Sequence, residues 1–344
     1  MQIQRLNTIR GIAVLIVLVS HYSNESKILG GVLGTGAGQF GVMIFFLLSS
    51  FLISFLYVDK IPSAQNIINF CVARIARVIP LFLLVVFLSF FANLILPITV
   101  SKFLYKIVDS PSLFSNLLLL SGDSVLWTIA PEIQFYLLFA VLWWLSKWLR
   151  NLIILIPIIL ISLYIFFPNP TIYEGTVFGL FFKLSILQVY AYFSVGLLLG
   201  VLYKKWAAPV QYKSKYFLCA LVVIPLMYPM IFRSYMGYTH KLWADPWVLL
   251  VVSSVFFALV FLVPDKNVLL ENKVGDFLGK VSYSAYLVHY PILLALKEFG
   301  FAKDIMNGIF FLVLTLAVSL LSFRYFEYPA RTLIRNWFSL KSTD

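Results

Sequence analysis

The sequence predicts an all-α, polytopic membrane protein: a bundle of about ten transmembrane helices with both the N- and C-termini cytoplasmic. Three observations predict it. Of the 344 residues, 62% are hydrophobic and only 12% charged, a balance that soluble domains do not keep. Apolar runs long enough to cross a bilayer recur from one end of the chain to the other. The basic residues sort to one side of the layout that those runs imply.

The runs place spans at about 6–22, 39–58, 79–97, 127–147, 151–168, 180–202, 216–233, 247–264, 281–297 and 305–326. The first follows Arg5 and Arg10 as a signal peptide would, but no small-residue cleavage site comes after it, so it is expected to be retained. The glycine-rich stretch from Gly30 to Gly38 reads as a flexible outer loop or as a close approach of backbone to a ligand. The run from Leu113 to Leu120 is too short to span and is expected to lie in the interface or dip into it. With the N-terminus inside, eighteen of the 26 lysines and arginines fall on the cytoplasmic side and the other eight outside, the bias that positive-inside orientation requires. No internal repeat, linker or composition shift marks a second domain, so residues 1–344 are expected to form one transmembrane domain.

A net charge of +12 would suggest nucleic acid in a soluble chain. Here it reflects orientation against an anionic inner leaflet, and the expected partner is the lipid bilayer, with no nucleic acid. The two cysteines, Cys71 and Cys219, have no metal-ligand spacing, and no metal is expected.

Four stretches carry candidate chemistry. In the first span Arg10 and His21 bracket an aliphatic run, eleven residues apart and hence on one side of a helix. That separation is about 16 Å along the axis, roughly half of a ~30 Å hydrocarbon core. If Arg10 sits at an interface, His21 lies near the midplane, where an ionisable group is a functional candidate; the alternative is a histidine that caps a short helix end in water. Arg74 and Arg77, ahead of the third span and of Pro80, share a helix face and can clamp one anion, or can be a basic inner anchor. Trp127-Thr128 opens the fourth span, with Thr128 as N-cap, Pro131 in the first turn and Glu132 near the positive end of the helix dipole. Glu132 is there for helix stability or as a carboxylate facing a cavity. In the ninth span Ser282, Tyr286 and His289 make a polar stripe ahead of the helix-kinking Pro291, as cavity lining or as interhelical glue. Arg324, Glu327 and Arg331 read as a local salt-bridge cluster at the inner end of the last span. These residues alone do not separate an enzyme from a transporter.

Six stretches, in order, resemble the acyltransferase 3 family of integral-membrane O-acyltransferases: Leu6–Ala13 through His21, Gly41–Ser54, Arg74-Ile-Ala-Arg77 with Pro80, Trp127-Thr128 with Glu132, Phe135 and Tyr136, Ser282–Pro291, and Tyr325-Phe-Glu327-Tyr-Pro329-Ala-Arg331. Asn7 stands where the family often has Asp, Met43 where Asp is frequent, and Ser50 where Gly is usual. The resemblance implies a ten-helix bundle in the bacterial cytoplasmic (inner) membrane that moves an acyl group, commonly acetyl from acetyl-CoA, onto a hydroxyl of a cell-surface polysaccharide or lipid-linked glycan. No tightly bound cofactor is implied; acetyl-CoA is the donor substrate. Carried over residue by residue, His21 is the catalytic histidine supported by Arg10, Arg74 and Arg77 serve the CoA donor, and Glu132 belongs to the active site. Trp127, Ser282, Tyr283 and His289 are candidates for its lining, with Tyr283, Ser282 or a backbone N–H as oxyanion donor. No C-terminal hydrolase-like domain, which some members carry, is expected. Two alternatives stay open: a transporter or flippase for a polysaccharide intermediate, and the same chemistry on a small-molecule acceptor.

Overall fold

The computed structural model describes residues 4–95, 104–149, 151–167, 174–177, 180–183, 186–206, 212–226, 228 and 242–338. Lys102, Arg150, Arg233, Lys241 and Lys341 of the charge count, and parts of the expected third and fifth to seventh spans, lie outside these residues. The helices are α1 Gln4–Ser26, α2 Gly38–Tyr57, α3 Ala64–Ile95, α4 Ser110–Leu117, α5 Ile129–Leu145 and α6 Leu152–Phe166, then α7 Ile186–Lys205, α8 Ala220–Leu226, α9 Pro246–Phe257, α10 Lys273–Glu298, α11 Ile305–Ser322 and α12 Tyr328–Trp337. Among the described residues the strand content is one antiparallel hairpin, β1 Glu174–Val177 with β2 Leu180–Lys183, so the segment expected to enter the sixth span at 180 begins as strand, and the helix α7 covers Ile186–Lys205.

Six helical stretches among the described residues are long and apolar enough to cross a membrane: Gln4–Ser26, Gly38–Tyr57, Ala64–Ile95, Ser124–Leu145, Ile186–Lys205 and Ile305–Trp337. Three shorter apolar helical stretches, Leu152–Phe166, Lys215–Leu226 and Pro246–Leu262, accompany them. Exposed large apolar side chains run along α3 at Phe87, Leu88, Phe91 and Leu94, and along α11 at Met306, Ile309, Phe310 and Val313. Their spacing of one and three to four residues paints one side of each helix with hydrocarbon, the surface that lipid covers.

The chain divides into two compact units. The first comprises Met1–Ile61, Leu145–Pro170 and Gln188–Lys280. Lipid tails are as apolar as leucine, so helices in a membrane are held by close packing and interhelical hydrogen bonds. Both are visible here. A Cβ added at Gly41 of α2 would lie 2.4 Å from the Ala13 carbonyl oxygen of α1, so glycine is what lets the two backbones touch. The connection between them is tied down: the Gly38 amide donates to Ser20 Oγ at 2.8 Å and the Thr35 amide to Asn24 Oδ1 at 2.6 Å. The glycine-rich stretch is therefore a bonded turn returning onto α1. Ser50, the departure from the family's glycine, donates back to Phe46 O at 2.9 Å, and the small residue opposite it is Gly196 of α7. Asn7, another of the departures, donates to Asp276 Oδ1 at 2.7 Å.

Arg5, whose side chain is 1% exposed, is the strongest anchor of this unit. Its Nη1 donates to the carbonyls of Val260 and Val263, Nη2 to Pro264 O and Asp265 Oδ1, and both Nε and Nη2 to Glu271 Oε1. The carbonyls lie at and just beyond the end of a π-helical turn, Ala258–Leu262, where they lack helical partners. Taking a guanidinium out of water costs several kcal/mol, and hydrogen bonds to a charged group return about 1.5–3 kcal/mol each; six contacts offset the cost.

The second unit comprises Pro62–Trp144, Thr171–Leu187 and Val281–Asp344. α3 runs unbroken through Pro80, so Arg74 and Arg77 lie inside a 32-residue helix and not ahead of it. The short run expected near 113–120 forms α4, opened by a capping box in which the Ser112 amide donates to Asp109 Oδ1 at 2.8 Å and the Asp109 amide to Ser112 Oγ at 3.2 Å. The hairpin is fastened to the same region by the Lys183 amide, which donates to Leu120 O at 2.7 Å. α12 packs on α3 and is joined to α11 by a π-helical turn, Phe323–Glu327.

Candidate functional site

In the first unit the site residues are those of α1. The helix continues for a further five residues after His21, to Ser26, so this histidine does not cap a helix end. It is partly buried, as is Arg10. Glu25, one turn further on, lies within electrostatic reach of the imidazole. The i,i+4 spacing of His21 and Glu25 in the sequence is the signal for this pairing.

In the second unit the candidates gather around Glu132. The Tyr136 hydroxyl donates to Glu132 Oε1 from one turn along α5. The Arg74 guanidinium, 8% exposed, lies over the rings of Phe70 and Tyr136, 5.7 and 6.0 Å from their centroids. Arg77 is within electrostatic reach of Tyr136 and of Tyr283, and Glu132 is within reach of Tyr136, Tyr283 and Tyr286. A carboxylate, two arginines and three tyrosines thus share one neighbourhood. Glu132 does more than satisfy a helix dipole: it accepts from a buried phenol and sits among the arginines. Tyr286 belongs to the polar stripe read from the sequence; Tyr136 stands there only within a motif, and its i,i+4 relation to Glu132 is the signal that places it in the site.

Thr128 does not act as the N-cap of α5. Its hydroxyl donates to Val125 O at 3.1 Å and meets the Tyr286 hydroxyl at 3.2 Å, while the Tyr286 hydroxyl also reaches Val125 O at 3.2 Å. The Trp127-Thr128 stretch, a short 3-10 turn from Ser124 to Thr128, is thereby bound to α10. The polar stripe of α10 is buried throughout: Ser282 is 1% exposed, Tyr286 6% and His289 0%. Tyr283 donates its hydroxyl hydrogen to Val78 O at 2.6 Å, so its proton is engaged by backbone. His289 Nδ1 sits 2.7 Å from Tyr286 O and 3.2 Å from Ala285 O. Carbonyl oxygens only accept, so Nδ1 carries a hydrogen and the neutral ring has its acceptor at Nε2. Glu327, expected in a local salt-bridge cluster at the inner end of the last span, is buried and accepts from Ser284 Oγ at 2.6 Å. No group of three or more metal-ligating side chains that could hold an ion occurs among the described residues.

The profile of a family described as an acyltransferase domain matches residues 3–324, essentially the whole chain. No curated protein and no solved structure matches. The chain belongs to this acyltransferase family, and with its apolar helices it is a multi-pass membrane acyltransferase.

Proposed function

We propose that this protein transfers an acyl group, acetyl in the first instance, from cytoplasmic acyl-CoA to a hydroxyl of a cell-surface polysaccharide or lipid-linked glycan, in the bacterial cytoplasmic membrane. The observation that carries the reading is the family match over residues 3–324, within which five of the six motif stretches fall; the sixth, Tyr325–Arg331, lies just beyond it. Ten spans with both termini inside belong to the same proposal and are supported by the distribution of basic residues.

The residues divide the work as follows. Arg74 and Arg77, one turn apart on α3, present two planar forks of donors suited to the phosphates of CoA. The rings of Phe70 and Tyr136 lie beside the Arg74 guanidinium, with centroids 5.7 and 6.0 Å from Cζ, and attract its charge. Glu132, held by Tyr136, keeps the arginine neighbourhood from being purely cationic. His21 acts as base: an imidazole nitrogen takes the proton of the acceptor hydroxyl as its oxygen attacks the thioester carbonyl. The tetrahedral oxyanion collapses, the carbon–sulfur bond breaks, and CoA leaves as thiolate and recovers the proton from the imidazolium. Glu25 stabilises that imidazolium by its charge. With the Tyr283 proton given to Val78, the oxyanion donor falls to Ser282 or to a backbone amide.

The test is release of CoA thiol from acetyl-CoA by the purified protein in lipid, with a surface-glycan extract as acceptor. Wild type turns over; His21→Ala binds donor but is slower by about 10²–10⁴-fold; Arg74→Ala/Arg77→Ala loses donor binding. No thiol release and no donor binding by wild type would sink the reading and leave proton-coupled transport as the next assay.

A further inference from the structure

Pro291 lies inside α10 and has no N–H. In an unbroken helix the amide of residue 291 would donate to the carbonyl of residue 287, so Leu287 O loses its helical donor at a position where Leu287 is fully buried. A buried carbonyl without a donor costs about 1–3 kcal/mol. The structure supplies one from outside the helix. Tyr105, in the segment between α3 and α4, donates its hydroxyl to Leu287 O at 2.8 Å. Tyr105 is itself 0% exposed and its ring stacks on Tyr290, with centroids 6.0 Å apart.

The segment carrying Tyr105 is held in place. Asn93 Nδ2 donates to Tyr105 O at 2.7 Å and to Ile107 O at 3.2 Å, and the Lys106 amide donates to Asp123 Oδ2 at 2.8 Å. Ile107 is fully buried beside it. A tyrosine anchored by three backbone contacts of its own segment is thus inserted at the one carbonyl that the proline releases. Immediately before that carbonyl stands Tyr286, bound to Thr128 and Val125, and two residues after it stands His289.

We propose that Tyr105 is a positioning residue: it replaces the missing helical donor at Leu287, pins the Pro291 kink, and so sets Tyr286 and His289 against the Trp127-Thr128 turn. For catalysis the proposal rests on the acyltransferase reading, with the α10 stripe as site lining. Tyr105→Phe keeps the ring stack and removes only the donor. Pro291→Ala gives residue 291 an N–H and hands Leu287 O back to the helix.

The experiment uses the full chain in lipid nanodiscs, acetyl-CoA and a surface-glycan extract, with hydrogen exchange followed over residues 284–295. Tyr105→Phe is expected to exchange at least about threefold faster there and to lower kcat about tenfold, with the KM for acetyl-CoA changed less than about twofold, because misplacing a site wall costs turnover more than donor binding. In the Pro291→Ala background the same substitution should add nothing to either readout. Wild-type exchange and kcat in Tyr105→Phe, or effects of the two substitutions that multiply, overturn the proposal, as does a Tyr105→Phe protein that only melts earlier while its folded fraction turns over normally. Faster exchange in Tyr105→Phe, cancelled by Pro291→Ala, alongside a wild type that releases no thiol retains the pin and overturns the acyltransferase reading instead.

Discussion

Arg5 and Arg74 are both buried arginines, and they are kept in opposite ways. Arg5 faces four groups with acceptor oxygens at the end of a π-helical turn and Glu271 besides, so its hydrogen-bonding capacity is spent inside the protein. Arg74 lies over the rings of Phe70 and Tyr136, which attract its charge. The contrast lies in the partners and not in burial, since 1% and 8% exposure are nearly the same. It also corrects a habit of sequence reading. Arg5 and Arg10 look alike as inner-leaflet charges, yet Arg5 is a tertiary rivet.

The largest effect expected from breaking this comparison is on stability. Arg5→Ala leaves the buried Val260 and Val263 without the donor to their carbonyls and the partly exposed Glu271 without its cation; removal of one partner of a fully buried pair costs about 3–5 kcal/mol, the upper bound here. Thermal unfolding in detergent should fall steeply; a melting curve that overlays wild type would show that the rivet carries no load. Arg74→Lys is the matching change on the other side. Lysine keeps the charge but loses the planar fork and the guanidinium that lies over Phe70 and Tyr136. The KM for acetyl-CoA should rise about tenfold, with the melting temperature little changed, and an unchanged KM would remove Arg74 from donor binding. The smallest effect concerns the exposed fringe of the rivet. Lys213 Nζ sits 2.7 Å from Asp265 Oδ2, and this hydrogen bond holds the Asp265 carboxyl below its usual range. A lowered folded-state pKa stabilises the fold above the unfolded value, about 3.9, and that stabilisation is lost as pH falls through the folded value. Wild type should therefore melt slightly above Asp265→Asn at pH 7, less so in high salt, and the two should converge toward pH 3. A difference that grows on acidification would reverse the assigned sign.

Part of the candidate site could be read directly. Arg74 with Arg77, Glu132 with Tyr136 and His21 with Glu25 are pairs within one helix, and helix geometry converts a spacing of three or four residues into a shared face. The buried stripe of Ser282, Tyr286 and His289 follows from the same rule. What sequence reading got wrong was the end of each element: Arg74 inside α3, the strand at Leu180, and Thr128 bonded backward to Val125. Each depends on which partner captures a polar group, and a motif does not name the partner.

By itself the sequence determined that this is a multi-pass helical membrane acyltransferase, because apolar length sets where a chain can cross hydrocarbon and six ordered motifs set the family. The tertiary structure alone decided which buried polar groups are satisfied by whom. Arg5 finds Glu271, Tyr105 finds Leu287, Tyr286 finds Thr128 and Ser284 finds Glu327, across separations from 43 to 266 residues. In a medium with no water to accept or donate, each such group must be matched within the protein. Those matches are made between distant segments, so no local spacing could have announced them.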